Sequence, residues 1–291
     1  MKRPTGGGAA MRKSKVLLVL LLLVCPLSAG AQQRPVADDL GFIDYLIGNN
    51  FTTDALSWLD GNSYQPSDTL AYLRGLTLYT AGKLDLAAEQ FSKVPSESCY
   101  YDRSVFFGVV SDACSGRYDR GLQRLEDYNG PYQELKYYEI AALSLLQDDK
   151  AGYKAAASAF TYSDYTMTEG EKLFDKVYDE RYIARQKNPW LAAGLSAVVP
   201  GLGKIYAGRK DEGIAALMTV GVLAGFTAEA WVKKGPTDWR TIVFGTLGSL
   251  FYIGNIYGSY MSVGIYNDTL KDAQNTAIVF NLHLPVRSIF K

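Results

Sequence analysis

At 291 residues the chain is long enough for one or two domains with real cores, and its 30 basic and 30 acidic residues cancel. A balanced charge argues against nucleic acid as a partner, because a polyanion is held by concentrated positive surface. The mean hydropathy near zero averages polar stretches with strongly apolar ones that lie in different parts of the chain.

The first 31 residues have the pattern of a secretory signal: basic Arg12, Lys13 and Lys15, an apolar run over 16–24, and small Ala29, Gly30 and Ala31 at the cleavage site. The exported chain is predicted to begin near Gln32, and Met11 ahead of the basic cluster makes 1–10 a candidate upstream extension. The apolar run falls short of the ~20 residues of a spanning helix. A lipoprotein reading of Cys25 is disfavoured by Val24 before it, where a small side chain is wanted. Cys99 and Cys114 then remain. A helix between them, rising ~1.5 Å per residue, sets their Cα atoms about 20 Å apart, beyond the ~7 Å reach of a disulfide. Both are expected as buried or idle thiols.

Self-similarity dominates the next part. Phe51, Leu84, Tyr118 and Tyr153 are each followed seven residues later by an apolar side chain, Trp58, Phe91, Leu125 and Phe160, and successive members of either set lie 33, 34 and 35 apart. In the second unit Leu84, Ala87, Ala88, Phe91 and Val94 trace one face of a helix, as Tyr118, Gly121, Leu122, Leu125 and Tyr128 do in the third. A turn marked by Gly48, Gly82 and Gly116 precedes each such helix, with another apolar helix ahead of the turn, as over 70–79. Four helical hairpins over 38–162 are the prediction, and the eight column residues are the predicted repeat core.

These units resemble the tetratricopeptide family, whose repeat is 34 residues long: Gly75, Gly82, Ala87 and Phe91 fall on its small, turn, small and aromatic columns. The second unit fits well. Asp54 departs from the small column in the first, Gly121 replaces alanine in the third, and Asp148, Asp149 and Lys150 replace the turn glycine in the fourth. The resemblance implies an α-solenoid with a curved surface that holds a protein or peptide partner. Tyr100, Tyr101, Tyr132, Tyr137 and Tyr138 lie in this region; most are expected to pack between repeats, although tyrosine also favours interfaces.

Over 163–188 a charged stretch carries Leu173, Phe174, Val177, Tyr178 and Tyr182 at helical spacing, predicting a capping and linking helix that ends at Asn188 and Pro189. Two apolar segments follow, about 213–232 with one charge, Glu229, and 241–265 with none, each near the ~20 residues a bilayer requires. Lys233, Lys234 and Arg240 in the polar turn between them predict a cytoplasmic turn. Lys204, Arg209 and Lys210 on the other side weaken that bias and can snorkel to headgroups. Gly221 with Gly225, and Gly254 with Gly258, are candidate helix-packing pairs, within the hairpin or between two copies. Glu229 and Asn255 are the polar residues at membrane depth, with Glu229 expected at the interface against Lys233 or Lys234.

Ahead of the hairpin stand Pro200, Gly201, Gly203, Tyr206 and Gly208. This run is similar to the motif that leads into the TM2-type membrane domain, so the resemblance, over about 189–265, implies two transmembrane helices. Lys204 departs from the glutamine expected there, and the inter-helix turn does not match the pattern. The tail over 266–291 begins with a short polar helix-like piece, 267–275, and continues over 277–285 with β-branched and aromatic residues that read as a strand on the exported side.

No chemistry for catalysis is recognisable. His283 is the sole histidine, which leaves no zinc site and no histidine-based relay; no phosphate loop is present, and Gly201 and Gly203 lack the third glycine and the preceding strand of a dinucleotide fingerprint. No catalytic residue, metal or cofactor is predicted. The expectation is an all-α chain: a solenoid of helical hairpins followed by a two-helix transmembrane hairpin in a bacterial inner membrane, with the repeats in the periplasm. It would act as a scaffold for a protein partner in envelope complex assembly, in contact with membrane lipid and with room for homo-oligomerisation. The alternative is an accessory subunit acting through its hairpin, in transport or lipid handling.

Overall fold

The computed structural model describes residues 35–184 and 186–290; the signal sequence, its cleavage site and Cys25 lie outside them. Among the described residues all the regular structure is helical. After a single 3-10 turn, eight helices pair in sequence: α1 (Leu40–Gly48) with α2 (Thr52–Gly61), α3 (Asp68–Thr80) with α4 (Leu84–Phe91), α5 (Tyr101–Cys114) with α6 (Tyr118–Glu126), and α7 (Gln133–Leu146) with α8 (Lys150–Ala157). Then come α9 (Thr168–Tyr178), a π-helical turn (Asp179–Ile183), α10 (Pro189–Val198), α11 (Leu202–Tyr206), α12 (Lys210–Lys234) and α13 (Trp239–Ile289).

One turn closes all four hairpins. Its left-handed residue is Asn50, Gly82, Gly116 and Asp148 in turn. The N–H of the following residue reaches back five positions to the carbonyl of Leu46, Leu78, Asp112 or Ser144, at 2.8 to 2.9 Å. This satisfies carbonyls that a helix end leaves without a partner. Glycine, asparagine and aspartate are the residues that tolerate the left-handed region, so the first and last hairpins manage without glycine. The predicted turn residue Gly48 is instead the last residue of α1.

The turn fixes the register of the repeats, and it corrects the outer two. Its left-handed positions are spaced 32, 34 and 32 apart, not 33, 34 and 35. The middle columns stand: Phe91 and Leu125 are buried, with Leu84 and Tyr118 packed against the core. In the first unit Phe51 and Trp58 are exposed and Ala55 and Leu59 are fully buried in their place. Trp58 instead meets Phe42 edge-on, with ring centroids 4.9 Å apart. In the fourth unit Tyr153 stands on the small-residue column and is buried by stacking on Tyr178 of α9, while Phe160 lies beyond the end of α8, packed against the core.

The middle hairpins show why the small columns matter. A Cβ on Gly75 would lie 2.6 Å from the Phe91 ring, so glycine there lets the aromatic fill the space between α3 and α4. Next to it Asp112, fully buried on α5, binds Arg117 at 2.9 Å and Arg124 at 2.8 Å. Arg124 also donates to the carbonyl of Ala88 in the preceding hairpin at 2.8 Å. A buried carboxylate is tolerated because it is paired and bonded in this way. Cys99 and Cys114 are free, and both are on the surface rather than buried.

The predicted strand over 277–285 is helix, and 267–275 is not a separate piece. Both belong to α13, which runs unbroken through 51 residues. At ~1.5 Å per residue this is a rod of about 75 Å. Its first half packs on α12 and α10, and its second half packs across α5, α7 and α9.

Candidate functional site

Part of the repeat surface is occupied by the chain itself. Ile278, Leu282 and Val286 of α13 are completely buried, and Phe290 nearly so, in the same core as the repeats. Spaced four apart, they form a stripe along one side of the helix. Phe290 closes the seat, stacked on Phe106 at 5.7 Å and edge-on to Tyr132 at 4.9 Å.

Polar contacts fix the register of this helix. Pro285 has no N–H, so the carbonyl of Asn281 loses its helical donor. Tyr138 on α7 supplies the replacement, donating from its hydroxyl to Asn281 O at 3.0 Å. On the neighbouring side, the Tyr79 hydroxyl of α3 bonds Nδ1 of His283, with the two rings stacked 5.4 Å apart. Burial, then the Arg287 charge one turn on, lower the imidazole pKa below its ordinary value. His283, read from sequence as part of a strand-like tail, is thus a groove contact.

At the far end the π-helical turn aims Arg181 inward. Its Nε donates to Gln274 Oε1 at 2.8 Å, Nη2 to Asn275 Oδ1 at 2.6 Å, and Nη1 to the carbonyl of Leu145 at 2.7 Å. Gln274 in turn donates to Glu180 at 2.8 Å, and Lys271 pairs with Asp148, the left-handed residue of the last hairpin. One arginine therefore ties α7, the π-turn and α13 together. Arg181→Ala removes the donors while leaving their acceptors buried, so it is expected to weaken the docking of α13 by roughly 2–3 kcal/mol. Faster amide exchange over 274–278 would report it, and wild-type protection there would count against the clamp.

Glu139, midway along α7, is fully buried, and among the described residues neither carboxylate oxygen has a hydrogen-bond partner. Burial holds its pKa well above the ordinary carboxylate value. Its field reaches Tyr79 and Tyr138, the two tyrosines that grip α13, and burial raises the pKa of both hydroxyls.

The residues of the glycine motif meet where α10, α11 and α12 converge. Gly201 has φ +90°, and a Cβ there would collide with the carbonyl of Gly213; a Cβ on Gly203 would collide with that of Ala192. Gly203 N–H donates to Ser196 Oγ at 2.9 Å, and Ser196 bonds Ser259 of α13 at 2.7 Å. Pro200 stands in the turn itself, Tyr206 accepts from the N–H of Asn188 at 3.1 Å, and Gly208 has φ +98°. Gly201→Ala is expected to cost about 2 kcal/mol or more from left-handed strain and collision. Gly221→Ala should change stability by less than ~1 kcal/mol. Thermal unfolding of the two variants in detergent tests the contrast, and equal midpoints would refute it.

The predicted helix-packing glycines are not what joins α12 to α13. A Cβ on Gly221, Gly225 or Gly254 meets nothing within 4 Å, and Gly258 faces Lys204 of α11. The close approach is made by Gly245 against Thr227, and by Gly248 against Leu223. Glu229 does pair with Lys233, at 2.6 Å. Asn255 is buried with its carboxamide unbonded among the described residues. No group of histidine, cysteine, aspartate or glutamate among the described residues is arranged to hold a metal ion.

No protein-family profile, no curated protein and no solved structure matches this chain.

Proposed function

We propose that this chain is a membrane-anchored scaffold. In this reading the four hairpins form an α-solenoid of tetratricopeptide type outside the cytoplasm. They grip the helical extension of their own transmembrane hairpin and present their remaining surface to a protein partner. The observation that carries the reading is the continuity of α13. Its C-terminal half is seated in the repeats, while its N-terminal half packs on α12 with an apolar exterior that is exposed among the described residues.

Ile242, Leu247, Leu250, Phe251 and Ile253 of α13 are exposed, as are Ile214, Met218, Val222, Phe226 and Val232 of α12. A contiguous apolar surface of this length is foreign to water and native to lipid. α12 is by itself long and apolar enough to span a bilayer. α13 is leaner, with Asn255 and several hydroxyls in its first half, and needs its partner helix. The basic turn of Lys233, Lys234 and Arg240 supports a cytoplasmic position for that end, leaving the repeats at the opposite end.

The full-length protein is expected to stay in the membrane pellet after alkaline washing, and to retain a specific protein when affinity-purified from mildly crosslinked cells. Release into the aqueous fraction as a monodisperse species without detergent would sink the anchored reading. Retention in the pellet with no reproducible partner would sink the scaffold.

A further inference from the structure

We infer that the cleft between α12 and α13 beside α11 is a binding site for one anionic phospholipid, with its phosphate on Lys204, its ester region on Asn255 and an acyl chain below. The inference rests on the membrane reading above and gives that surface a ligand. The cleft is an open groove of about 610 Å³ lined mostly by apolar side chains, among them Ala216, Val220, Leu247 and Phe251, with Lys204 and Glu212 also at its wall.

Three features grade the cleft along its axis as a phospholipid is graded. At the upper end the Lys204 stem crosses α13 at Gly258, where the missing side chain makes room: a Cβ there would lie 3.5 Å from the lysine Cε. Lys204 has no ion pair or hydrogen bond among the described residues. The nearby carboxylate, Glu212, is engaged by Arg209 at 3.1 Å. An unpaired ammonium at the end of an apolar cleft attracts a phosphate.

Asn255 lies three residues further into the hairpin, about 4.5 Å along the helix axis. That is about the depth at which glycerol esters lie below the phosphate in a phospholipid. The residue is 5% exposed and lines the cleft with neither amide atom bonded among the described residues. A free carboxamide in hydrocarbon is costly, so a ligand that brings an ester carbonyl to Nδ2 is held there. Beyond Asn255 the walls are apolar and suit an acyl chain.

The test is native mass spectrometry of the full-length protein, released from mixed phosphatidylglycerol and phosphatidylcholine vesicles. One phosphatidylglycerol should be retained in preference to phosphatidylcholine by roughly fivefold, the worth of one lysine near a lipid surface. Lys204→Gln should abolish the preference and Lys204→Arg keep it, while Asn255→Leu should lower total retention and leave the preference intact. Equal retention of the two lipids by the wild type, or a preference unmoved in Lys204→Gln, overturns the inference. So does displacement of the lipid by inorganic phosphate, which would mean that the acyl chain contributes nothing. If the protein stays in alkaline-washed membranes yet shows no preference, only this site is refuted. Extraction into water refutes the membrane reading along with it.

Discussion

Leu282→Asp is expected to detach the C-terminal part of α13 from the repeats while leaving the hairpins folded. Leu282 is completely buried in the middle of the apolar stripe, so the change forfeits ~2 kcal/mol or more of apolar burial. It also requires a carboxylate to enter a site with no charge partner, which brings the total to about 4 kcal/mol or more. Such a loss is comparable with what a seat of four apolar residues can supply after ordering costs. Hydrogen exchange over 274–290 should rise toward that of an unprotected helix, and limited proteolysis should cut in the same stretch. A surface substitution on the opposite side, Phe280→Asp, serves as the control, since Phe280 is exposed and its change should leave protection intact. Retained protection in Leu282→Asp would mean that the groove does not depend on this stripe.

The sequence made the hairpins legible because each carries its own signals. Apolar residues at helical spacing and a left-handed turn residue every 32 to 34 positions are local facts. The outer registers differ from the apolar columns for a physical reason as well. Asn50 and Asp148 do the work of glycine through side chains that tolerate positive φ, while the large apolar pairs Phe51 with Trp58 and Tyr153 with Phe160, each seven apart, stand one residue before the true column in the first unit and three after it in the fourth. The fate of the tail was not local at all. Residues 277–285 are rich in β-branched and aromatic side chains and contain Pro285, which on propensity alone argues against helix. The period-four stripe of Ile278, Leu282, Val286 and Phe290 was present in the same letters, but it decides the matter only when a groove exists to bury it. Even the proline is accommodated by a residue 147 positions away, Tyr138, which caps the carbonyl it orphans. Likewise Gly245 and Gly248, which bring α12 and α13 together, stand three apart and lack the four-residue spacing that marks a small-residue packing pair in sequence.

The continuity of α13 also couples the two ends of the chain. A rod with one half against α12 and the other in the repeats cannot tilt without dragging on Arg181, Tyr138 and Tyr79. The groove and the hairpin are therefore mechanically one unit. Substitutions that undock the helix should loosen the hairpin's orientation without altering its helicity.

Glu139 makes that docking pH-dependent, and Glu139→Met should reveal it. The carboxyl is buried without a hydrogen-bond partner among the described residues, and its pKa is raised well above 4.5. The groups within reach of the same space are Tyr138 beside it with Glu171 beyond, Tyr79 on α3, Cys114 at the end of α5, and His283 with Arg287 on α13. Because the folded pKa is raised, the stability linked to this group is fully present below pH 4.5 and is lost as pH rises toward the folded value, by about 1.4 kcal/mol per unit. His283 has the opposite sign. Its folded pKa is depressed below 6.5, so its contribution is complete above that pH and is lost as pH falls toward the depressed value. Between pH 4.5 and 6.5 the two slopes oppose each other, and above pH 6.5 the Glu139 loss stands alone and stability falls. Glu139→Met fills similar volume without an unbonded carboxyl to desolvate and should stabilise the protein at pH 7.5 by roughly 1–3 kcal/mol, the cost of a buried unsatisfied polar group. It should flatten the decline above pH 6.5 and, by removing the slope that opposes it, expose the His283 loss below pH 6.5. Thermal midpoints of full-length protein between pH 5 and 8.5 measure both arms. An alkaline slope that survives in Glu139→Met would show that the buried carboxyl is not its source.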